Sequence, residues 1–321
     1  MSQEILSKLS VNHIDDLSSS RNEPDWLKDY RKNSLSIYDD MPIETSPLYN
    51  KYTDAKKMSP SKVSLSTSTT QTIPKFLEKR LGELENEICI IQIGTNIYKI
   101  NLPDDLKSKG LVISSISDAI KNDSELVKKS LEASNSKEDK FTALNNAAFN
   151  SGIFIHIPRN LIVEKPIHFM ICLSDDGHST ISRNIIFADE SSKATIVQEL
   201  YSPQIESQQA YLELLNTNLA VNAQLDITTL QMMDQHAVTF STRRTDLAQD
   251  AKVNWYSGLF GSMLSRYKTE YYLNGSGASS NDSEVIFGNN EQSFDIQTNV
   301  IHESPSTEGR VVEKSILRNK S

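Results

Sequence analysis

Along the second half of the chain, apolar and polar residues alternate one by one. Leu225, Ile227 and Thr229 share one side and leave Asp226 and Thr228 on the other. Val253, Trp255 and Ser257 alternate in the same way with Asn254 and Tyr256. So do Phe294, Ile296, Thr298 and Val300 with Asp295, Gln297 and Asn299, and Val311, Glu313 and Ser315 with Val312 and Lys314. A period of two marks strands with one buried face. These strands recur behind similar openings: SSKATIVQ, VNAQLDITT, QDAKVNWYS and STEGRVVEK. The corresponding positions Ser192, Ala223, Ala251 and, more loosely, Glu308 lie 31, 28 and 57 residues apart. The last gap leaves room for one further unit around GSGASSNDSEV. Such a period suits a β-solenoid, whose coils bury their faces against stacked neighbours. An antiparallel sandwich gives similar alternation, so the pattern by itself leaves both open.

The front half reads differently. Residues 1–58 are expected to form a charged helical arm. In NEPDWLKDYRKNSLSIYDDMP, Trp26, Tyr30, Leu35 and Tyr38 recur at nearly helical spacing. Asn22 is the expected N-cap, Pro24 suits the first turn, and Pro42 and Pro47 end the helix. Residues 59–72, SPSKVSLSTSTTQT, read as a Ser/Thr-rich linker that buries little. Residues 73–150 read as a small α/β unit. It has a helix across PKFLEKRLGELEN, two strands around Gly94-Thr95-Asn96, and helices in SISDAIKNDSELVKKSLEAS and EDKFTALNNAAFN. The β core is expected over residues 151–321. The fold class is therefore mainly β: a solenoid core preceded by an N-terminal helical, α+β region.

Charge and chemistry narrow the function. A net charge of −9 and a pI near 5.3 disfavour nucleic acid as a partner. The N-terminus, MSQEILSKLSVNHIDDL, lacks the basic and apolar regions of a secretion signal, and no apolar run nears the roughly 18 residues of a membrane span. A cytoplasmic location without membrane attachment is expected. The two cysteines, Cys89 and Cys172, exclude a disulfide framework and a four-thiolate cluster site on this chain, and both read as small buried hydrophobes. His156, His168, His178, His236 and His302 show no metal-ligand spacing. Asp175-Asp176, Asp189-Glu190 and Asp282/Glu284 read as turn residues. Their other reading is the acid pair of a β-helix polysaccharide lyase or hydrolase. GLFGS at 258–262 and NGSGASS at 274–280 read as turns and coil corners, with no nucleotide-binding loop. Arg243, Arg244 and Trp255 read as a solvated strand edge and a core tryptophan.

Three stretches carry a family resemblance. NEPDWLKDYRKNSLSIYDDMP resembles the amino-terminal block of the SufB/SufD family. KFTALNNAAFNSGIFIHIPRNLIVEKPI is similar to that family's entry into its core, and DLAQDAKVNWYSGLFGS to a later strand–turn phrase of the SufD-like branch. The resemblance implies a right-handed parallel β-helix and a scaffold, not an enzyme. It implies a complex with a SufB-like subunit (or self-pairing) and a SufC-like ATPase. There ATP turnover rearranges the SufB–SufD pair, and an iron–sulfur cluster forms transiently near their interface. No catalytic residue, metal or firmly bound cofactor is expected on this chain.

The SufB branch carries a sulfur-handling cysteine in a phrase like V-E-G-C-T-A-P. The matching phrase Val197–Pro203 has Leu200 there, and leucine cannot carry a persulfide. Of a Gln-x-Trp pair in the SufB sulfur path, Gln231 matches the glutamine and Met233 replaces the tryptophan. Arg243 or Arg244 corresponds to its basic residue. By resemblance the candidate internal path is Gln231, Arg243 and Arg244, and the SufD-like branch fits best. LRNKS at 317–321 resembles the family just before its last coils, so the cluster-linked cysteine and histidine and the SufC-gripping helices would lie beyond Ser321. A degenerate structural homologue is the remaining alternative.

Overall fold

A computed structural model describes residues 9–42, 73–174, 179–206 and 208–321. The 59–72 stretch, residues 43–58 of the arm, and Asp175, Asp176 and His178 lie outside the described residues. The strands in chain order are β1 (Ile88–Ile93), β2 (Asn96–Asn101), β3 (Val112–Ser115), β4 (Ile153–Ile157), β5 (Ile167–Cys172), β6 (Thr180–Ala188), β7 (Lys193–Tyr201), β8 (Gln209–Leu219), β9 (Gln224–Met232), β10 (Ala237–Leu247), β11 (Lys252–Leu259), β12 (Leu264–Leu273), β13 (Ser279–Gly288), β14 (Ser293–His302) and β15 (Glu308–Leu317). From β4 onward they alternate between two sheets, one running β5-β7-β9-β11-β13-β15 and the other β4-β6-β8-β10-β12-β14. Every neighbour pair within these two series is parallel. The result is a β-solenoid of about five turns, which excludes the antiparallel sandwich.

The register shows why the sequence repeats. Lys193 pairs with Gln224, Gln224 with Lys252, Lys252 with Ser279 and Ser279 with Glu308. The residues just before them are therefore equivalent: Ser192, Ala223, Ala251, Ala278 and Thr307, at intervals of 31, 28, 27 and 29. The extra coil falls where the long gap left room for it. The last equivalent is Thr307, one residue before the expected Glu308. Ahead of each stands a residue in the left-handed region: Ser191 (φ 57°), Asn222 (57°), Asp250 (57°), Gly277 (74°) and Ser306 (59°). Asparagine, aspartate and glycine tolerate this conformation, so the small and polar openings of the repeats are corner chemistry. The alanines that follow are wholly buried, and a larger side chain would force the coils apart.

Parallel register also stacks like positions into columns along the interior. One column reads Ile167, Ile196, Ile227, Trp255, Asp282. Burying each isoleucine contributes roughly 1.5–3 kcal/mol, so the early coils are held by their apolar columns. The later coils put polar groups in the same rows.

The helices cover the outer face of the second sheet. Helix Asp25–Asp40 packs Leu27, Leu35 and Tyr38 against the wholly buried helix Lys140–Ala148. Phe141 of the latter stacks on Phe240 at 4.1 Å. The helix start differs from expectation. Pro24 is the N-cap, and Asn22 sits in a left-handed turn (φ 51°) two residues earlier. Glu23 beside it accepts from Nε and Nη2 of the buried Arg31, each at 2.8 Å, so an internal ion pair fixes the entry turn. The expected helix over 74–86 shortens to a 3-10 turn and Glu78–Glu83. LVISS, for which the sequence pattern gives no element, holds β3, which pairs antiparallel with β4 and caps the second sheet.

The glycine loops are mixed. Gly258 lies inside β11 instead of at a corner, whereas Gly261 is at one. A Cβ on Gly261 would sit 2.1 Å from the Met233 carbonyl oxygen. Gly261→Ala is expected to lower the unfolding free energy by about 2–4 kcal/mol in urea titrations. Gly82, helical and facing open space, gives the opposite sign: Gly82→Ala should stabilise by about 0.5–1 kcal/mol.

Candidate functional site

Strand β10 turns Thr239, Ser241, Arg243 and Thr245 inward, and all are buried. Thr239, Ser241 and Arg243 each hydrogen-bond a polar side chain from another part of the coil and together make a spine inside it, while the Thr245 hydroxyl has no hydrogen-bond partner among the described residues.

Glu213 anchors its first part. This carboxylate on β8 is 3% exposed. It accepts from Gln198 Nε2 (2.6 Å), Asn184 Nδ2 (2.7 Å), Tyr211 OH (3.1 Å) and Ser241 Oγ (2.6 Å). Gln198 in turn accepts from Thr229, which also accepts from the Trp255 indole (3.1 Å). Four donors converging on one buried acid replace the water it has lost.

Gln231 forms a second node. Its carbonyl oxygen accepts the Gly261 backbone N–H at 2.8 Å. Its amide nitrogen is within reach of the hydroxyls of Thr239, Ser262 and Ser265. Leu200 pairs directly with Gln231 across β7 and β9, so the leucine occupies the interior beside the glutamine. Met233, the residue at the tryptophan position, is buried against Thr239 at 3.3 Å.

Arg243 forms a third. Its guanidinium lies 4.5 Å from the Tyr267 ring centre and 5.0 Å from that of Trp255, and Nη1 donates to Ser257 at 3.2 Å. Nε and Nη2 have no hydrogen-bond partner among the described residues. Facing it from the next coil are Asp282 and Glu284, 2% and 3% exposed. Burial pushes the Glu284 carboxyl up to about 7, Asp282 adds to the rise, and Arg243 opposes it. Burial raises Asp282 too, against a hydrogen bond from Tyr271 OH at 2.6 Å.

These two acids were expected in a turn. They lie on the inward row of β13 with Ser280 and Ile286. A polymer cannot reach them there, which removes the structural basis for a lyase or hydrolase acting through this pair. Asp189 and Glu190, by contrast, stand at a corner and bind His156 (2.9 Å) and Arg159 (2.7 Å).

The three residues marked by resemblance separate. Gln231 and Arg243 are inside the coil. Arg244 faces out: it grips Asp246 at 2.8 and 2.9 Å, stacks 4.0 Å over Tyr272 and reaches the Ala133 carbonyl of the helical layer. Adjacent strand residues point to opposite faces, so only one of the pair could enter the interior. Glu213, Asn184, Gln198 and Tyr211 went unnoticed in the sequence. The available signal was the period-two series Tyr211, Glu213, Leu215 hidden in the apolar string AYLELL.

Glu284 ties the spine to pH. Its folded carboxyl is raised above its unfolded value, so its protonated form favours the fold. That contribution is full below the unfolded pKa of about 4.5 and fades as pH rises through about 7. Glu284→Gln, which keeps the neutral shape, should remove this loss. The variant should match the parent in urea stability near pH 5 and exceed it at pH 8.

The cysteines stand apart from the spine. Cys89 and Cys172 are wholly buried in a small outer cluster with Leu77, Leu84, Ile91 and Met170. Burial raises the Cys89 thiol, which keeps it protonated. Among the described residues no group of three or more His, Cys, Asp and Glu side chains could hold a metal ion. No helix among them is long and apolar enough to cross a membrane.

Two family models match in tandem. One, described as the SufBD protein N-terminal region, covers residues 20–169. The other, described as the SUF system FeS cluster assembly, SufBD core domain, covers residues 171–321. Among curated proteins, an iron–sulfur cluster assembly SufBD family protein of Staphylococcus aureus strain USA300 is 25% identical over 97% of this chain and 69% of its own length. A counterpart from Staphylococcus haemolyticus strain JCSC1435 is 24% identical over the same shares.

Proposed function

Because this chain belongs to the SufB/SufD family of iron–sulfur cluster assembly proteins, we propose that it serves there as a SufD-like, non-catalytic platform subunit. In this reading it works in the cytoplasm, pairs with a SufB-like subunit and acts with a SufC-like ATPase. The cluster is cargo of the complex, formed on the partner's ligands near the shared interface. Residues of this chain supply a rigid flank, with the Glu213, Gln231 and Arg243 nodes fixing the spacing of its coils.

The observation that carries this reading is Leu200. It is wholly buried beside Gln231, at the position where the resemblance places the SufB cysteine. Sulfur transfer needs a thiolate, and leucine has none. A subunit of this kind supports chemistry done elsewhere.

Genetic complementation separates the branches. The gene should restore growth on iron-poor medium, and the activity of iron–sulfur enzymes, in a strain lacking its SufD-like subunit. It should fail in a strain lacking SufB. Rescue of the SufB-deficient strain alone would overturn the assignment, and rescue of neither would favour a degenerate homologue.

A further inference from the structure

At the coil corners that follow β7, β9, β11 and β13, the surface opens into a groove of about 1380 Å³. Small-molecule sites occupy roughly 300–1,000 Å³, so this one is large for a metabolite and suited to a stretch of polypeptide. Its apolar lining includes Phe76, Met232, Phe260 and Phe287. Phe76, Met232 and Phe260 are 50%, 38% and 42% exposed, unusual for such residues grouped at one place. Phe260 is seated by the backbone beneath it. A Cβ on Gly258 would lie 2.7 Å from its ring, so glycine at that strand position lets the ring lie flat. Methionine and phenylalanine together make an adaptable apolar surface, as in grooves that accept amphipathic helices.

The rim fixes the sign of the occupant. Glu206, Asp234 and Glu291 stand around the groove, and among the described residues no lysine or arginine lines it. Asp234 is engaged by His236 at 2.8 Å. Among the described residues Glu291 has an exposed contact with Lys320 at 3.4 Å, and such pairs are worth little. Below the groove, Gly261 and Met233 are also partners of Gln231 and Thr239, so the floor is continuous with the interior spine.

We infer that this groove docks a segment of a partner protein that presents large apolar residues on one side and lysine or arginine beside them. The inference rests on the groove's own chemistry and not on the choice between SufD-like and SufB-like branches.

A fluorescein-labelled, helix-forming peptide of leucine and lysine, about 18 residues or five turns long, is the probe. The control carries glutamate for every lysine. Fluorescence anisotropy with the purified chain should show binding of the lysine peptide, weakening with salt, and none of the glutamate peptide. Phe260→Glu and Met232→Glu, both at exposed positions, should each weaken binding about tenfold or more. Val221→Glu, exposed at the corner that precedes β9 and so at the other end of that strand from the groove, should leave it unchanged. Thermal melts confirm that each variant is folded. Absence of binding, equal binding of the two peptides, or no loss in either groove variant overturns the inference. So does a wild-type dimer in sedimentation that Phe260→Glu dissolves, since the groove would then be a contact between copies of this chain.

Discussion

Arg243→Met is expected to lower the unfolding free energy by about 3–5 kcal/mol at pH 7, from the lost hydrogen bond to Ser257, the lost contacts with the Tyr267 and Trp255 rings, and two buried acids left without the cation whose field opposes their burial. Arg243 is the cation facing Asp282 and Glu284 inside the coil, and its field opposes the burial that lifts both acids. Without it, each carboxyl is driven further towards protonation. The deficit should therefore be smaller at pH 6 and larger at pH 8, where holding those protons is harder. Methionine keeps much of the packing volume, so lost volume is not the main term. The double variant Arg243→Met/Glu284→Gln should recover a good part of the loss. Arg244→Met is the contrast. That residue is half-buried on the outer face with Asp246, and its loss should cost no more than about 1 kcal/mol. Urea titration of the four proteins at three pH values measures all of this. Equal losses at 243 and 244 would contradict the inward and outward assignment.

Glu213→Ala is expected to be comparably damaging, again by about 3–5 kcal/mol, because it strands donors from four side chains in the interior. Glu213→Gln should be milder. Its carbonyl oxygen still accepts, while its amide meets donors where an acceptor stood. The variants read out the network: Ser241→Ala alone removes one donor and should cost about 1 kcal/mol. A Glu213→Ala loss no greater than the Ser241→Ala loss would mean that the acid is not the node of the spine.

The solenoid was legible because its period is written twice, in the alternation along each strand and in the corner residues between strands. Ser192, Ala223 and Ala251 were aligned correctly because corners need small residues and the register is parallel. Glu308 was misplaced by one because its corner, Ser306-Thr307, carries the larger threonine where the others have serine or alanine. The interior polar row was much harder to see. Asp282 and Glu284 carry the composition of a turn, and only their register with Trp255 and Ser257 shows that they face inward. Sequence neighbours say nothing about which coil lies above. The same limit applied to Arg243 and Arg244. Either could match the family's basic residue, and only strand parity distinguishes them. Asn22 misled in a different way: its preference for caps is also a preference for left-handed turns, and here the turn won.

The role in cluster assembly is tested most directly by what the full-length protein carries when it is isolated. Affinity purification from its own cells under reducing conditions, followed by native mass spectrometry, should recover it bound to a SufB-like subunit and a SufC-like ATPase. Recovery of this chain alone, or only with copies of itself, would contradict the account.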